Sequence, residues 1–225
     1  MKKPINRSDK NILNKFIYFF NEKFNYFFIL IFGNLTDKKL EILDEKISKN
    51  SYKYANINQT VWLLNIFRAI KMISNNITLN PKKYQWIDIG CGNGISAIFV
   101  QVFFQLKKQY LFDLNKKCIQ VSNENFKKAK NSLIGSIFGI EIPIIEKNDA
   151  CKIILKRNNF KFIFYLYNPF SEEILREFIL NNKNNFKKGD IIIYINDLHK
   201  KLFEEFLEIK FQNRNSFFQI SIFLL

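Results

Sequence analysis

Apolar positions along the chain change their rhythm near residue 80. Before that point they recur at helical spacing. After it, short apolar runs alternate with helical stretches. Residues 12–32, "ILNKFIYFFNEKFNYFFILIF", are dense in Phe and Ile but interrupted by Lys15, Asn21, Glu22, Lys23 and Asn25. The longest clean run, Tyr26–Phe32, falls far short of the roughly 20 residues that span a bilayer. No small-residue cleavage site follows, so a signal peptide is not expected. The segment predicts a helix packed on the rest of the protein; a helix lying in a membrane interface is the alternative. Residues 36–49 predict a second helix, opened by Thr36 as a cap, with Leu40, Leu43 and Ile47 on one face. Residues 58–74 predict a third, facing inward through Val61, Leu64, Phe67 or Arg68, and Met72. Pro81 stops the helical pattern.

From residue 84 the pattern predicts strands at 85–89, 109–114, 141–147, 161–168 and 190–196. Helices are expected over 94–107, 115–131 and 171–180, with a short one after residue 198. The Asn/Lys-rich stretch 181–188 predicts a solvated loop. "EIKFQ" and "SFFQISIFLL" predict two strands joined by "NRN", and a turn that short permits only antiparallel pairing. The fold class is therefore α/β: a mostly parallel sheet with helices on both faces and a reversed last strand. A helical segment over 1–80 and a sheet domain over 81–225 are the expected units. No internal repeat is visible.

Length and composition agree with this picture. The 225 residues are 48% hydrophobic, enough for a buried core and too apolar for disorder. The net charge of +15 invites an anionic partner, RNA or a membrane surface. Only five of the 35 basic residues are Arg, the side chain that phosphate-reading surfaces recruit for its fixed fork of donors. Abundant Lys, Asn, Ile and Phe are also what an AT-rich genome encodes, a second source of the charge. Cys91, Cys118 and Cys151 form no C-x-x-C pair or even-numbered framework, which fits a reducing, cytoplasmic compartment. With His199 the single histidine, no His-rich metal site is expected.

The chemistry concentrates at "YQWIDIGCGNGISAIF", residues 84–99. A strand, a glycine turn and a helix open a mononucleotide-binding unit. Gly90, Gly92 and Gly94 can take backbone angles closed to other residues and let a ligand touch the main chain beside the helix N-terminus. Cys91 lies between them as buried filler bordering the same turn. The spacing is Gly-x-Gly-x-Gly, which argues against the Gly-x-Gly-x-x-Gly of a dinucleotide oxidoreductase. Three acids strengthen the signal. Asp88 sits in the apolar strand just before the glycines, where an unpaired carboxylate is costly. Asp113 ends the second strand, where a carboxylate can receive both hydroxyls of a ribose. Asp149 follows the third strand and can accept an adenine amino proton. All three fall at the carboxyl edge of the sheet, and together they predict a nucleoside site.

These residues carry a family resemblance. "WIDIGCGNG" resembles motif I of the class I S-adenosylmethionine-dependent methyltransferases. "YLFDLNKKCIQVSNENFKK" is similar to their second motif and "EKNDA" to their adenine-contacting segment. The resemblance spans residues 84–225 and implies a Rossmann-like seven-stranded sheet with an antiparallel last strand, and S-adenosylmethionine as cofactor. It implies that Gly90, Gly92 and Gly94 border the methionine part of the cofactor, with Asp88 near its amino group. It further implies that Asp113 holds the ribose, that Asp149 contacts the adenine, and that Asn168 lies beside the sulfonium. "YANINQTVWLL" (54–64) and Asn-Pro-Phe at 168–170 are similar to one bacterial subgroup. That subgroup carries a basic residue between the second and third glycines, where this chain has Asn93.

On the substrate side, "YLYNPFSEE" is similar to the Asn/Asp-Pro-Pro-aromatic motif of amino-group methyltransferases, with one proline missing. The Asn168 side-chain oxygen can accept a proton from an amine and aim its lone pair, and Phe170 can pack against the acceptor. A strand-ending turn explains Asn-Pro equally well. His199 is a candidate general base, or a capping residue. Asp197 is the expected N-cap of the helix after it. Tyr54 and Gln59 are candidates to close over the cofactor. The sequence thus predicts methyl transfer to an unidentified acceptor, an amine being one candidate. The alternative is a methyltransferase-like module that docks RNA or an anionic membrane without turnover.

Overall fold

The computed structural model describes residues 12–37, 61–167, 171–214 and 219–225. The expected helix over 36–49 falls almost wholly outside this set, as do Tyr54, Gln59, Asn168 and Phe170. The described chain opens with helices α1 (Ile12–Ile31) and α2 (Leu63–Ser74). Then follow β1 (Tyr84–Ile89), α3 (Ile95–Phe104), β2 (Gln109–Asp113), α4 (Lys116–Asn131), α5 (Leu133–Phe138) and β3 (Ile144–Lys147). The last part carries β4 (Lys161–Tyr167), α6 (Glu172–Asn182), β5 (Ile191–Ile195), α7 (Lys201–Glu204), β6 (Ile209–Arg214) and β7 (Gln219–Leu224).

The seven strands form one sheet in the order β3-β2-β1-β4-β5-β7-β6. The pairs among β1 to β5 are all parallel; β7 runs antiparallel to β5 on one side and to β6 on the other. The last two strands pair antiparallel as expected, but Asn213 and Arg214 of the predicted turn belong to β6, opposite Ile220 and Gln219. The connection over 215–218 lies outside the described residues, and the final strand inserts between β5 and β6. The order reverses between β2-β1 and β4-β5, and ligands bind at such a switch point in open α/β sheets.

Period-two alternation builds a core on each face. Ile163 and Tyr165 of β4 and Ile191 and Ile193 of β5 join α1, α2, α3 and α4 on one face. Phe162, Phe164 and Leu166, with Ile192 and Tyr194, join α6 and α7 on the other. All six residues of β1 are buried, as a strand covered on both faces requires. Edge strand β3 is shorter than the apolar run suggested, at four residues, and mostly exposed.

Two helices differ from expectation. Helix α5 was not anticipated, because six residues give too short a period to detect. It is held by capping: the Ser132 side chain accepts from Gly135 N, and Gly139 ends it at φ +62°. In α2 the buried residues are Leu63, Asn65, Ile66, Ala69, Ile70 and Ile73; of the expected face, Val61 and Met72 pack half-buried against the core, Leu64 and Arg68 are half-buried and Phe67 is exposed. The helix is apolar around most of its circumference, so packing against the sheet chose the face.

Helix α1 inverts the usual amphipathic pattern. Three of the polar residues that interrupt its apolar run, Asn21, Glu22 and Asn25, point inward, while Lys15 and Lys23 are exposed. Asn25 accepts from Leu63 N at 3.1 Å and donates to Val61 O at 2.7 Å, which fixes the start of α2. Glu22 accepts from Trp62 Nε1 at 2.9 Å, and Asn21 is buried. Phe28 and Phe32 complete the packed side, with Phe28 edge-on to Phe99 of α3 at 5.4 Å. No described helix is long and apolar enough to cross a membrane.

Candidate cofactor site

The carboxyl edge of the sheet begins at the glycine turn. Gly90, Gly92 and Gly94 have φ of +84°, +55° and +75°, the left-handed region that the sequence pattern required. The amides of Gly90 and Cys91 both donate to Phe112 O, at 2.8 and 2.9 Å, and so fold the turn over the end of β2. There Asp113 meets it. Asp113 Oδ2 accepts from Gly92 N at 2.9 Å and Oδ1 accepts from Asn115 N at 2.8 Å. Burial pushes the Asp113 carboxyl up from its ordinary value, while the Asn115 and Gly92 amides and the Cys118 thiol pull it back. The side chain is half-buried, so it remains open to the edge.

Gly94 has a further reason to lack a side chain. A Cβ there would run into Ser122 Oγ and lie 3.3 Å from the Phe126 ring. This third glycine lets α4 approach α3, a packing role in addition to the one the motif implied.

Asp88 lies beneath the turn rather than at its surface. It is 1% exposed and accepts from Ser96 Oγ at 2.9 Å. Burial raises its carboxyl to about 7, with Asp113 adding to the rise and Ser96 opposing it. Asp88 therefore holds the first turn of α3 against β1. Cys91 is buried, and its thiol is pushed well up by burial and the neighbouring Asp113 and Asp88. Cys118 is pushed up by burial and Asp113, and Cys151 is raised to about 12 by burial and Glu177. None of the three carries a thiolate nucleophile at neutral pH.

Asp149 follows β3 at the same edge. It caps a short 3-10 turn, accepting from Cys151 N at 3.1 Å, and the preceding Asn148 N donates to Asp113 O at 3.0 Å. That second bond brings the Asp149 loop beside Asp113. His199 lies after β5, its Nδ1 3.9 Å from Glu172 Oε2 at the start of α6. Asp197 is not a helix cap. Its carboxylate is buried and accepts from Ser221 Oγ of β7, and the cap position of α7 is Lys200, without a side-chain cap.

Sequence reasoning missed a clasp behind the turn. Asn125 of α4, fully buried, accepts from Thr36 N at 2.7 Å and donates to Thr36 O at 3.0 Å and Asn93 O at 2.9 Å. Asn93 in turn donates to Asp37 Oδ1 at 2.8 Å. The chain leaving α1 is thereby tied to the glycine turn. Asn93, the departure from the subgroup's basic residue, is the one that meets Asp37. The only hint in sequence was a polar residue on the apolar face of α4.

No family model and no curated protein matches the chain. Solved structures do. An S-adenosylmethionine-dependent methyltransferase from Aquifex aeolicus is 13% identical, with a TM-score of 0.52 over 72% of this chain and 90% of that one. An RNA methyltransferase from Salinibacter ruber, in complex with S-adenosyl-L-homocysteine, is 8% identical, with a TM-score of 0.51 over 74% and 93% of the two chains. At these identities the likeness concerns the backbone, and it agrees with the strand order and the reversed final strand. The chain has the fold of the class I S-adenosylmethionine-dependent methyltransferases.

Proposed function

We propose that the protein is an S-adenosylmethionine-dependent methyltransferase acting on an amine. The observation that carries the reading is the pairing of Asp113 with the glycine turn. A carboxylate has about four acceptor sites. The Gly92 and Asn115 amides and the Cys118 thiol, a weak donor, engage three of them and fix the side chain's orientation. The acceptor capacity that remains on this partly buried side chain suits a ribose hydroxyl. Gly90 and Gly92, both left-handed, present bare main chain to whatever lies beside Asp113. Asp149, on the adjoining loop, suits an adenine amino group. The residues present therefore fit a nucleoside cofactor at the switch point.

When bound, this cofactor supplies an activated methyl on a sulfonium. The protein then has to hold and align the acceptor. Asn168 follows β4 at this edge and can take a hydrogen bond from an acceptor amine, orienting its lone pair. Phe170 offers a ring for the acceptor to pack on. His199, which lies beside Glu172, is the side chain we assign to receive a proton released after transfer.

Calorimetry with S-adenosylmethionine and with its demethylated product tests the cofactor reading. Asp113→Ala removes the charge-assisted hydrogen bonding to the ribose, worth about 1.5–3 kcal/mol for even one bond, so affinity falls at least tenfold. Unchanged affinity in the folded variant overturns the assignment.

A further inference from the structure

The inward side of α1 uses polar residues; its outward side is aromatic. Phe16, Phe19, Phe20, Tyr26, Phe27 and Leu30 recur at helical spacing along one stripe, each between 45% and 67% exposed. The stripe runs from Phe16 to Leu30, about 21 Å along the 20-residue helix. Phe103 of α3, its ring 6.3 Å from that of Phe28, is also exposed and widens the patch. Isolated exposed apolar residues are ordinary on a soluble surface; a continuous aromatic stripe of this length marks an interaction site.

Charge selects the occupant. The exposed charges on the described part of α1 are Lys15 and Lys23, and Lys23 Nζ lies 5.3 Å from the Phe19 ring centroid. The one acid of the helix, Glu22, is turned inward onto Trp62. The sequence ahead of the helix adds Lys2, Lys3, Arg7 and Lys10 against a single Asp9, within a chain of net charge +15. Aromatic rings flanked by lysines, on a helix too polar to span, suit the boundary between lipid headgroups and acyl chains. A second copy of the chain fits poorly, because joining two such faces brings like charges together on two strongly cationic molecules.

We propose that the outer face of α1 docks the protein on an anionic lipid bilayer, with the helix lying in the plane of the interface. Phe20 and Phe27 enter the headgroup boundary, and Lys15 and Lys23 meet lipid phosphates. The docked face is built from α1 and α3 and does not depend on the methyl-transfer reading.

The full chain should co-sediment with vesicles of phosphatidylcholine and phosphatidylglycerol, and weakly with phosphatidylcholine alone. The double variant Phe20→Glu/Phe27→Glu changes exposed residues, so its melting curve should match the parent while its binding to anionic vesicles falls at least tenfold. In Phe27→Trp, the new indole emission should shift to the blue on anionic vesicles and be quenched by brominated acyl chains. Three results overturn the proposal: no binding by the parent, equal binding by the double variant, or an indole that stays in water. A concentration-dependent dimer, lost in the double variant and accompanied by no vesicle binding, assigns the face to a second copy instead.

Discussion

Asn125 donates to the carbonyl of Asn93 at 2.9 Å, so a residue buried in α4 holds the middle of the glycine turn. The same side chain pairs with both the N–H and the C=O of Thr36, as a neighbouring strand would. Asn125→Ala leaves these backbone groups without partners, at about 1–3 kcal/mol for each one stranded. The urea midpoint should drop, and cofactor affinity should weaken with it, because Asn93 belongs to the turn. Asn125→Asp keeps the acceptor for Thr36 N but loses both donors, so it should not rescue. An unchanged midpoint in Asn125→Ala would show that the clasp holds nothing.

Asp88 makes stability depend on pH. Its carboxyl is raised to about 7 in the folded chain from an ordinary value of 3.8. Between those values the unfolded chain has lost this proton and the folded chain still binds it. Stability therefore falls as pH rises from about 4 to about 7, then levels off. Across that window the loss runs at up to about 1.4 kcal/mol for each step of one in pH. Asp88→Asn, which stays neutral and can still accept from Ser96, should flatten this part of the curve and gain stability over the parent at pH 8. Denaturant titrations at pH 5, 6, 7 and 8 decide it; parallel curves for parent and variant would remove Asp88 as the cause.

Arg157 and Asp190 brace the opposite edge of the sheet. Arg157 Nη1 donates to Asp190 Oδ2 at 2.8 Å, and its guanidinium lies 4.1 Å from the Phe162 ring centroid. Asp190, fully buried, also accepts from Phe162 N and Lys187 N at the amino ends of β4 and β5. Arg157→Ala leaves that carboxylate uncompensated and should cost about 3–5 kcal/mol. Cofactor affinity measured on the folded fraction should not change, since the pair lies at the far ends of the strands. A coupled loss of affinity would contradict that separation.

Asn168 tests the amine acceptor. If it orients the nucleophile, Asn168→Ala should lower single-turnover methylation strongly while cofactor affinity stays nearly intact. Until an acceptor is identified, automethylation or slow cofactor hydrolysis serves as the readout. Normal turnover with a lowered melting temperature would reduce Asn168 to a strand-ending residue.

The sequence by itself determined the elements whose signals are local. "QWIDI" followed by Gly-x-Gly-x-Gly predicted β1, the left-handed turn and α3, because strand alternation, positive φ and helix entry are each written within a few residues. Asp113 was legible for the same reason, as the last residue of an apolar strand. The closely spaced apolar runs "EIKFQ" and "SFFQISIFLL" announced the reversed final strand. Tertiary structure decided whatever depends on residues distant along the chain. Helices α1 and α2 are apolar on more than one face, so periodicity could not say which face the sheet would cover. In α1 the choice went partly against hydropathy: Asn21 and Asn25 turned inward, Asn25 to where Val61 O and Leu63 N needed partners, while Phe16, Phe19, Phe20 and Phe27 were left outside. Asp88 looked like an edge acid and Asp197 like a helix cap, but Ser96 and Ser221 engage them in the packed structure. Asn125 reaches Thr36 across 89 positions, a contact that no spacing rule encodes, because it exists only once α4 and the chain leaving α1 have packed side by side.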